Sequence, residues 1–180
     1  FVSHLEGAID GARLDPLKQQ TTHEGRPILV RYDLEKAAET LKPAVLQNRR
    51  QDMWRLSELL PLESRKVSLG ENMTPLLTCP NLGRAYGLNN VWVKDESTLP
   101  TGSFKSRGQA VAISMAKHFG TTRVAIPTAG NAGGAMAAYA ARAGLEAFVF
   151  MPEDTPRVNQ VETVLAGAKV FLVNGLINDC

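Results

Sequence analysis

Between residues 105 and 173 the sequence changes its apolar period at nearly even intervals, and this alternation restricts the fold more than any other feature. Helical spacing over about 105–118 gives way to a strand at 124–127. A helix over 131–143, a strand at 147–151, a helix near 157–167 and a strand at 169–173 follow. Strands separated by helices of this length pair in parallel, because a parallel neighbour needs a crossover of a dozen or more residues. The predicted class is α/β, an open and mainly parallel twisted sheet with flanking helices, incomplete in this chain.

The earlier part of the chain is less periodic. Residues 1–33 hold polar residues, Gly and Pro without sustained spacing, apart from a short alternation at 28–32 that reads as a strand. Asp33 is placed to cap a helix through Leu34, Ala37, Ala38 and Leu41. Pro43 is placed to open a second helix that runs through Trp54, Leu56, Leu59 and Leu60 to Pro61. After a polar stretch at 62–72, strands at 74–77 and 91–94 flank a short helix near 81–86. The expected division is an N-terminal extension with a helical arm (1–68), the start of a larger domain (69–104) and a small βαβ domain (105–180). Phe1 in first place and a helix-like opening at Asn178-Asp179-Cys180 suggest part of a longer chain.

Composition removes several function classes. With 44% apolar and 21% charged residues, the chain has enough apolar side chains for a core. The net charge is +2 and no basic run is longer than a pair such as Arg49-Arg50, so no nucleic-acid partner is expected. The most apolar stretch, 132–151, contains Arg142, Glu146 and three glycines, so no membrane span is expected. Cys79 and Cys180 are too few for a disulfide framework or a four-cysteine zinc site, and a cytoplasmic location is expected. His4, His23 and His118 show no ligand spacing, so all three read as structural or solvated and no metal is expected.

Two loops lie where an α/β sheet places ligands, after a strand and before a helix. The first is Leu99-Pro100-Thr101-Gly102-Ser103-Phe104-Lys105-Ser106-Arg107-Gly108. The second is Ile126-Pro127-Thr128-Ala129-Gly130-Asn131-Ala132-Gly133-Gly134. Each ends at a helix N-terminus, where free N–H groups favour an anion. The first loop fails as a P-loop, lacking the glycine before its lysine. The second departs from G-x-G-x-x-G, although Glu153 and Asp154 follow at a distance suited to a ribose, which keeps a degenerate dinucleotide reading open. Lys105 falls in the first turn of a helix, the end that prefers anions, so something must compensate it. Solvent exposure is the plain explanation. The chemical one is an amine used as nucleophile or base, since desolvation and a positive helix end favour the uncharged form of an amine.

These strings carry a family resemblance. Lys94-Asp95-Glu96-Ser97, Pro100-Thr101-Gly102-Ser103-Phe104-Lys105-Ser106-Arg107-Gly108 and Thr128-Ala129-Gly130-Asn131, with Glu71-Asn72-Met73-Thr74-Pro75-Leu76, resemble threonine synthases and related pyridoxal-phosphate enzymes of the tryptophan synthase β-subunit fold. The likeness covers about residues 70–180. Residues 24–35 resemble the end of a small ribbon found before the enzyme in some relatives, here without its cysteines, so no zinc site is carried over.

The resemblance implies pyridoxal 5'-phosphate as cofactor, bound as a Schiff base by Lys105, whose amine then shuttles protons at the substrate's α and β carbons. It implies that Asn131 hydrogen-bonds the cofactor's ring oxygen. It also implies that the main chain of Thr128, Ala129, Gly130, Asn131 and Ala132 holds the carboxylate of a small amino-acid substrate. The implied reaction turns O-phosphohomoserine and water into threonine and phosphate, and the implied assembly is a homodimer. Threonine synthases tend to carry hydroxyl residues at the places of Ala129 and Ala132, and Asp at that of Ser106. These departures bear on the substrate more than on the cofactor, and ammonia elimination from threonine, serine or diaminopropionate is the close alternative. A nucleotide-binding or interaction module without turnover is the alternative from another class. The family's phosphate-binding glycine loop and ring-nitrogen partner are expected beyond Cys180.

Among the lesser candidates, Asp95 and Glu96 read as caps or surface charges, Arg107 as a partner for a carboxylate, and Ser103 as either a substrate contact or the capping hydroxyl of the 105 helix.

Overall fold

The computed structural model describes residues 1–62 and 66–180, so residues 63–65 of the polar stretch lie outside the description. The chain begins with β1 (Val2–Gly7), β2 (Arg13–Leu14) and β3 (Ile28–Tyr32), a small antiparallel sheet in the order β2-β1-β3. The strand at 28–32 is where the alternation put it. Strand β1 has no alternating pattern of its own, because its pairing with β3 is a long-range contact.

Helix α1 (Leu34–Thr40) starts at Asp33, whose carboxylate accepts the Lys36 N–H at 3.0 Å. The single long helix expected from Pro43 to Pro61 is not formed. Helix α2 (Pro43–Gln47) stops after five residues, and a separate 3-10 turn covers Met53–Leu59. The break has side-chain causes. Asp52 caps the new turn through the Trp54 N–H at 2.9 Å, and Arg49 leaves the helical path to grip Glu58 with two bonds of 2.7 and 2.6 Å. That fork holds the Glu58 carboxyl down to about 2. A carboxyl lowered in the folded state stabilises the fold above its ordinary range, and the contribution fades as pH falls toward the folded value. An Arg49→Met variant should therefore unfold at lower urea than the native chain at pH 7. The gap in midpoint should close between about pH 5 and pH 2.

Next come β4 (Leu76–Thr78), α3 (Pro80–Tyr86) and β5 (Trp92–Lys94). The two strands pair antiparallel as a sheet of their own, and β4 begins two residues later than the expected 74. The remainder keeps the period read from the sequence: α4 (Lys105–His118), β6 (Arg123–Pro127), α5 (Asn131–Ala143), β7 (Glu146–Pro152), α6 (Arg157–Leu165) and β8 (Lys169–Val173). Strands β6, β7 and β8 form a parallel sheet in chain order. Helix α5 lies on it through small residues. A Cβ on Gly133 would stand 3.0 Å from both Val149 Cγ1 and Met151 Cε and 2.7 Å from Thr128 Cγ2. The core combines Ala110 and Ile113 of α4, Met136, Ala137, Tyr139 and Ala140 of α5, and Ala147, Val149 and Met151 of β7 with Trp54, Leu62 and Val67. No helix among the described residues is long and apolar enough to cross a membrane.

Candidate active site

Lys105 is the first residue of α4, as the sequence placed it. The loop before it does not follow a parallel strand directly. Strand β5 belongs to the separate antiparallel pair, and a 3-10 turn at Glu96–Thr98 intervenes, capped by the Asp95 carboxylate through the Ser97 N–H at 3.0 Å. Gly102 then takes φ +65°, a region that favours glycine, and its N–H closes the turn on the Leu99 carbonyl at 2.8 Å. The Lys105 amine lies 4.0 Å from the centroid of the Phe104 ring, so an aromatic face supplies the compensation that the helix end withholds. Ser103 does not cap α4. The helix has no side-chain cap, and Ser103 Oγ is buried without a partner among the described residues. Ser106, on the first turn, reaches back to accept the Thr101 N–H at 3.1 Å.

The first turn of α4 is fastened by Arg107. Its guanidinium donates to both oxygens of Glu96, at 2.6 and 3.0 Å, which holds the Glu96 carboxyl down to about 2. Glu96 also accepts the Thr74 hydroxyl. Asp95 is thus a cap, while Glu96 is an anchor for the helix that carries Lys105. A fully buried carboxylate is Glu71, which accepts hydrogen bonds from Trp54 Nε1 (3.0 Å), Leu69 N–H (2.8 Å), Ser68 Oγ (2.7 Å) and the Tyr139 hydroxyl. Burial alone would push its carboxyl up. Those four donors outweigh burial and hold it below the usual range, while burial and the nearby carboxylate push the Tyr139 hydroxyl up. Glu71 joins the arm to α5, and nothing in the local sequence signals it.

The second loop follows β6 and enters α5, as expected. Thr128 is buried, Gly130 and Ala132 are half-buried, and Ala129 and Asn131 are exposed. Two of the five main-chain N–H groups of this loop have partners within the chain. The Thr128 N–H is spent on the Phe150 carbonyl at 2.9 Å, extending the sheet, and the Gly130 N–H on Thr128 Oγ1 at 3.2 Å. Helix α5 has no side-chain cap, and the N–H groups of Ala129, Asn131 and Ala132 meet no acceptor among the described residues. Asn131 is not alone: Asn159 of α6 donates to its Oδ1 at 2.9 Å, a partnership across 28 positions that no local signal announces.

A cavity of about 710 Å³ lies elsewhere, between the arm and α4, lined by Met53, Leu56, Leu60, Met73, Arg107 and Val111 among others and by neither Lys105 nor residues 128–132. The fold also brings ligand atoms of Asp10, His23 and Glu24 within 4.8 Å of one another, which spacing alone did not reveal. His23 pairs with Asp10 at 3.0 Å there, consistent with a structural histidine. Both cysteines are free thiols.

An amine in the first turn of one helix, a buried unpartnered hydroxyl beside it, and a loop of free N–H donors opening another suit a cofactor with an aldehyde and acidic oxygens. Residues 67–180 match the family model described as pyridoxal-phosphate dependent enzyme. The chain belongs to that family. A threonine synthase of Methanocaldococcus jannaschii is 37% identical over 151 residues, covering 82% of this chain and 37% of that protein. Escherichia coli diaminopropionate ammonia lyase, solved in complex with an aminoacrylate-PLP azomethine reaction intermediate, superposes with a TM-score of 0.57 at 25% identity, over 62% of this chain and 33% of that one. A pyridoxal 5'-phosphate-dependent aspartate racemase gives a TM-score of 0.51 at 31% identity, over 56% and 32%. The chain thus spans about a third of the length of the proteins it matches. As a pyridoxal-phosphate enzyme of this family it is set apart from the nucleotide modules that its glycine loop left open.

Proposed function

We propose that the protein is a lyase of amino-acid metabolism that converts O-phosphohomoserine and water to threonine and phosphate. The observation that carries this reading is Lys105, the first residue of α4, held there by the Arg107–Glu96 fork, in a chain similar to threonine synthases. Lys105 and Asn131 would hold the cofactor, with Ser103 Oγ free to serve the same site. Pyridoxal phosphate, when bound, supplies an electron sink that makes protons beside the amino group acidic. The Lys105 amine is the group that would take protons from Cα and Cβ as phosphate leaves Cγ, and give protons back at Cγ, which becomes the methyl group, and at Cα once water has added at Cβ. The free N–H groups of Ala129, Asn131 and Ala132, at the positive end of α5, suit the substrate carboxylate.

Ammonia elimination is the second reading. The alanines at 129 and 132 leave no side-chain hydroxyl for a second anionic group, and the chain is similar to a diaminopropionate ammonia lyase. A homodimer in the cytoplasm is the proposed setting, with free Cys79 and Cys180 in keeping with a reducing compartment. The test presents the full-length protein, loaded with cofactor, with O-phosphohomoserine and, separately, with threonine, serine and diaminopropionate. Release of inorganic phosphate with threonine supports the first reading. Formation of a 2-oxo acid and ammonia without phosphate release replaces it with the second, and no turnover of either class overturns both.

A further inference from the structure

An asparagine side chain offers one acceptor and one NH2 donor, and which of them a ligand meets depends on what already holds the other. At Asn131 the choice is made by α6. Asn159 Nδ2 donates to Asn131 Oδ1 at 2.9 Å, which fixes that oxygen toward α6, and the Asn131 NH2 meets no acceptor among the described residues. Asn159 is itself well fixed. It is 9% exposed, its N–H donates to the Pro156 carbonyl at 2.9 Å, and its carbonyl accepts the hydroxyl of fully buried Thr163 at 2.7 Å. Asn159 lies in the first turn of α6, and its buried amide requires a partner. Asn131, on the first turn of another helix, is the partner that it has.

We infer that Asn159 is a positioning residue that locks the Asn131 amide with its donor toward the ligand. The loop thereby selects an anionic oxygen, here the ring oxygen of the pyridoxal cofactor, and disfavours a donor. The inference rests on the cofactor reading proposed above, but concerns a residue that touches no ligand.

Asn159→Asp tests the polarity directly. Its carboxylate has the size of the amide but only accepts, so Asn131 must turn over, give its NH2 to the new carboxylate and present its oxygen to the ligand. Asn159→Leu removes the donor without reversing it. Visible and near-ultraviolet absorbance during titration with pyridoxal phosphate gives the dissociation constant and the ratio of the two bands, and melting temperature without cofactor reports folding. Affinity should fall by about tenfold or more in Asn159→Asp and by less in Asn159→Leu, with absorbance moving from the visible to the near-ultraviolet band as the ring oxygen loses its donor. A purely structural role predicts the reverse order, because aspartate fits the space and leucine does not. Borohydride reduction with mass spectrometry of the native protein tests the underlying reading separately. A label at Lys105 together with unchanged affinity and bands in both variants overturns the inference and leaves the reading standing. A native protein that takes no label at Lys105 overturns both.

Discussion

Lys105→Ala is expected to lower turnover by at least about 10³-fold and to abolish borohydride-dependent attachment of pyridoxal phosphate to the chain, while leaving the melting temperature nearly unchanged. The two halves of that result have separate causes. Alanine is a better helix former than lysine, and Lys105 contributes to folding only a cation over the ring of Phe104, itself 59% exposed. What holds the first turn of α4 is the fork from Arg107 to Glu96 and the Ser106 to Thr101 bond, and both survive the substitution. The chemical half follows from the role proposed for the amine as nucleophile and proton carrier. A Lys105→Ala protein that keeps a tenth of native turnover would remove this residue from the mechanism. Kinetics and peptide mass spectrometry on the same preparations read both halves.

Glu71→Ala is the second large effect, this time on folding. The carboxylate is fully buried and collects donors from Trp54, Ser68, Leu69 and Tyr139. Removing it strands those donors in the interior and opens a void, a loss on the order of 3–5 kcal/mol in the midpoint-derived stability. Glu71→Gln keeps an acceptor and most of the volume, so it should lose less, although its NH2 meets other donors where the second oxygen stood. Urea unfolding followed by Trp fluorescence separates the variants, and Trp54 beside the carboxylate makes the signal local. Equal midpoints for Glu71→Ala and the native chain would show that the arm and α5 do not depend on this group.

Elements with clean local punctuation were legible in the sequence. Helix α5 begins after Gly130 and ends at Gly144, which caps it with φ +74°, so both of its limits agree with the periodic reading, as do those of α4 and β8. The arm was read wrongly because its break is made by partners rather than by a helix-breaking residue: Arg49 is drawn off by Glu58, nine positions on. Strand β1 was missed because its register is written in β3. The same division holds for the candidate site. Lys105 and residues 128–132 stand out through loop chemistry and helix position. Glu71 meets Tyr139 68 positions away, and Asn159 meets Asn131 across 28, so neither has a neighbour in sequence that reveals its task. The spent N–H groups of Thr128 and Gly130 were likewise invisible until the strand and the turn around them were in place.

The space at Gly133, which a single Cβ would overfill against Thr128, Val149 and Met151, leaves no slack between the start of α5 and the sheet beneath it. A selection for altered substrate preference would therefore find productive changes at Val149 and Met151. These two residues sit beneath the loop, and a methyl group gained or lost there tilts the platform on which the free amides stand.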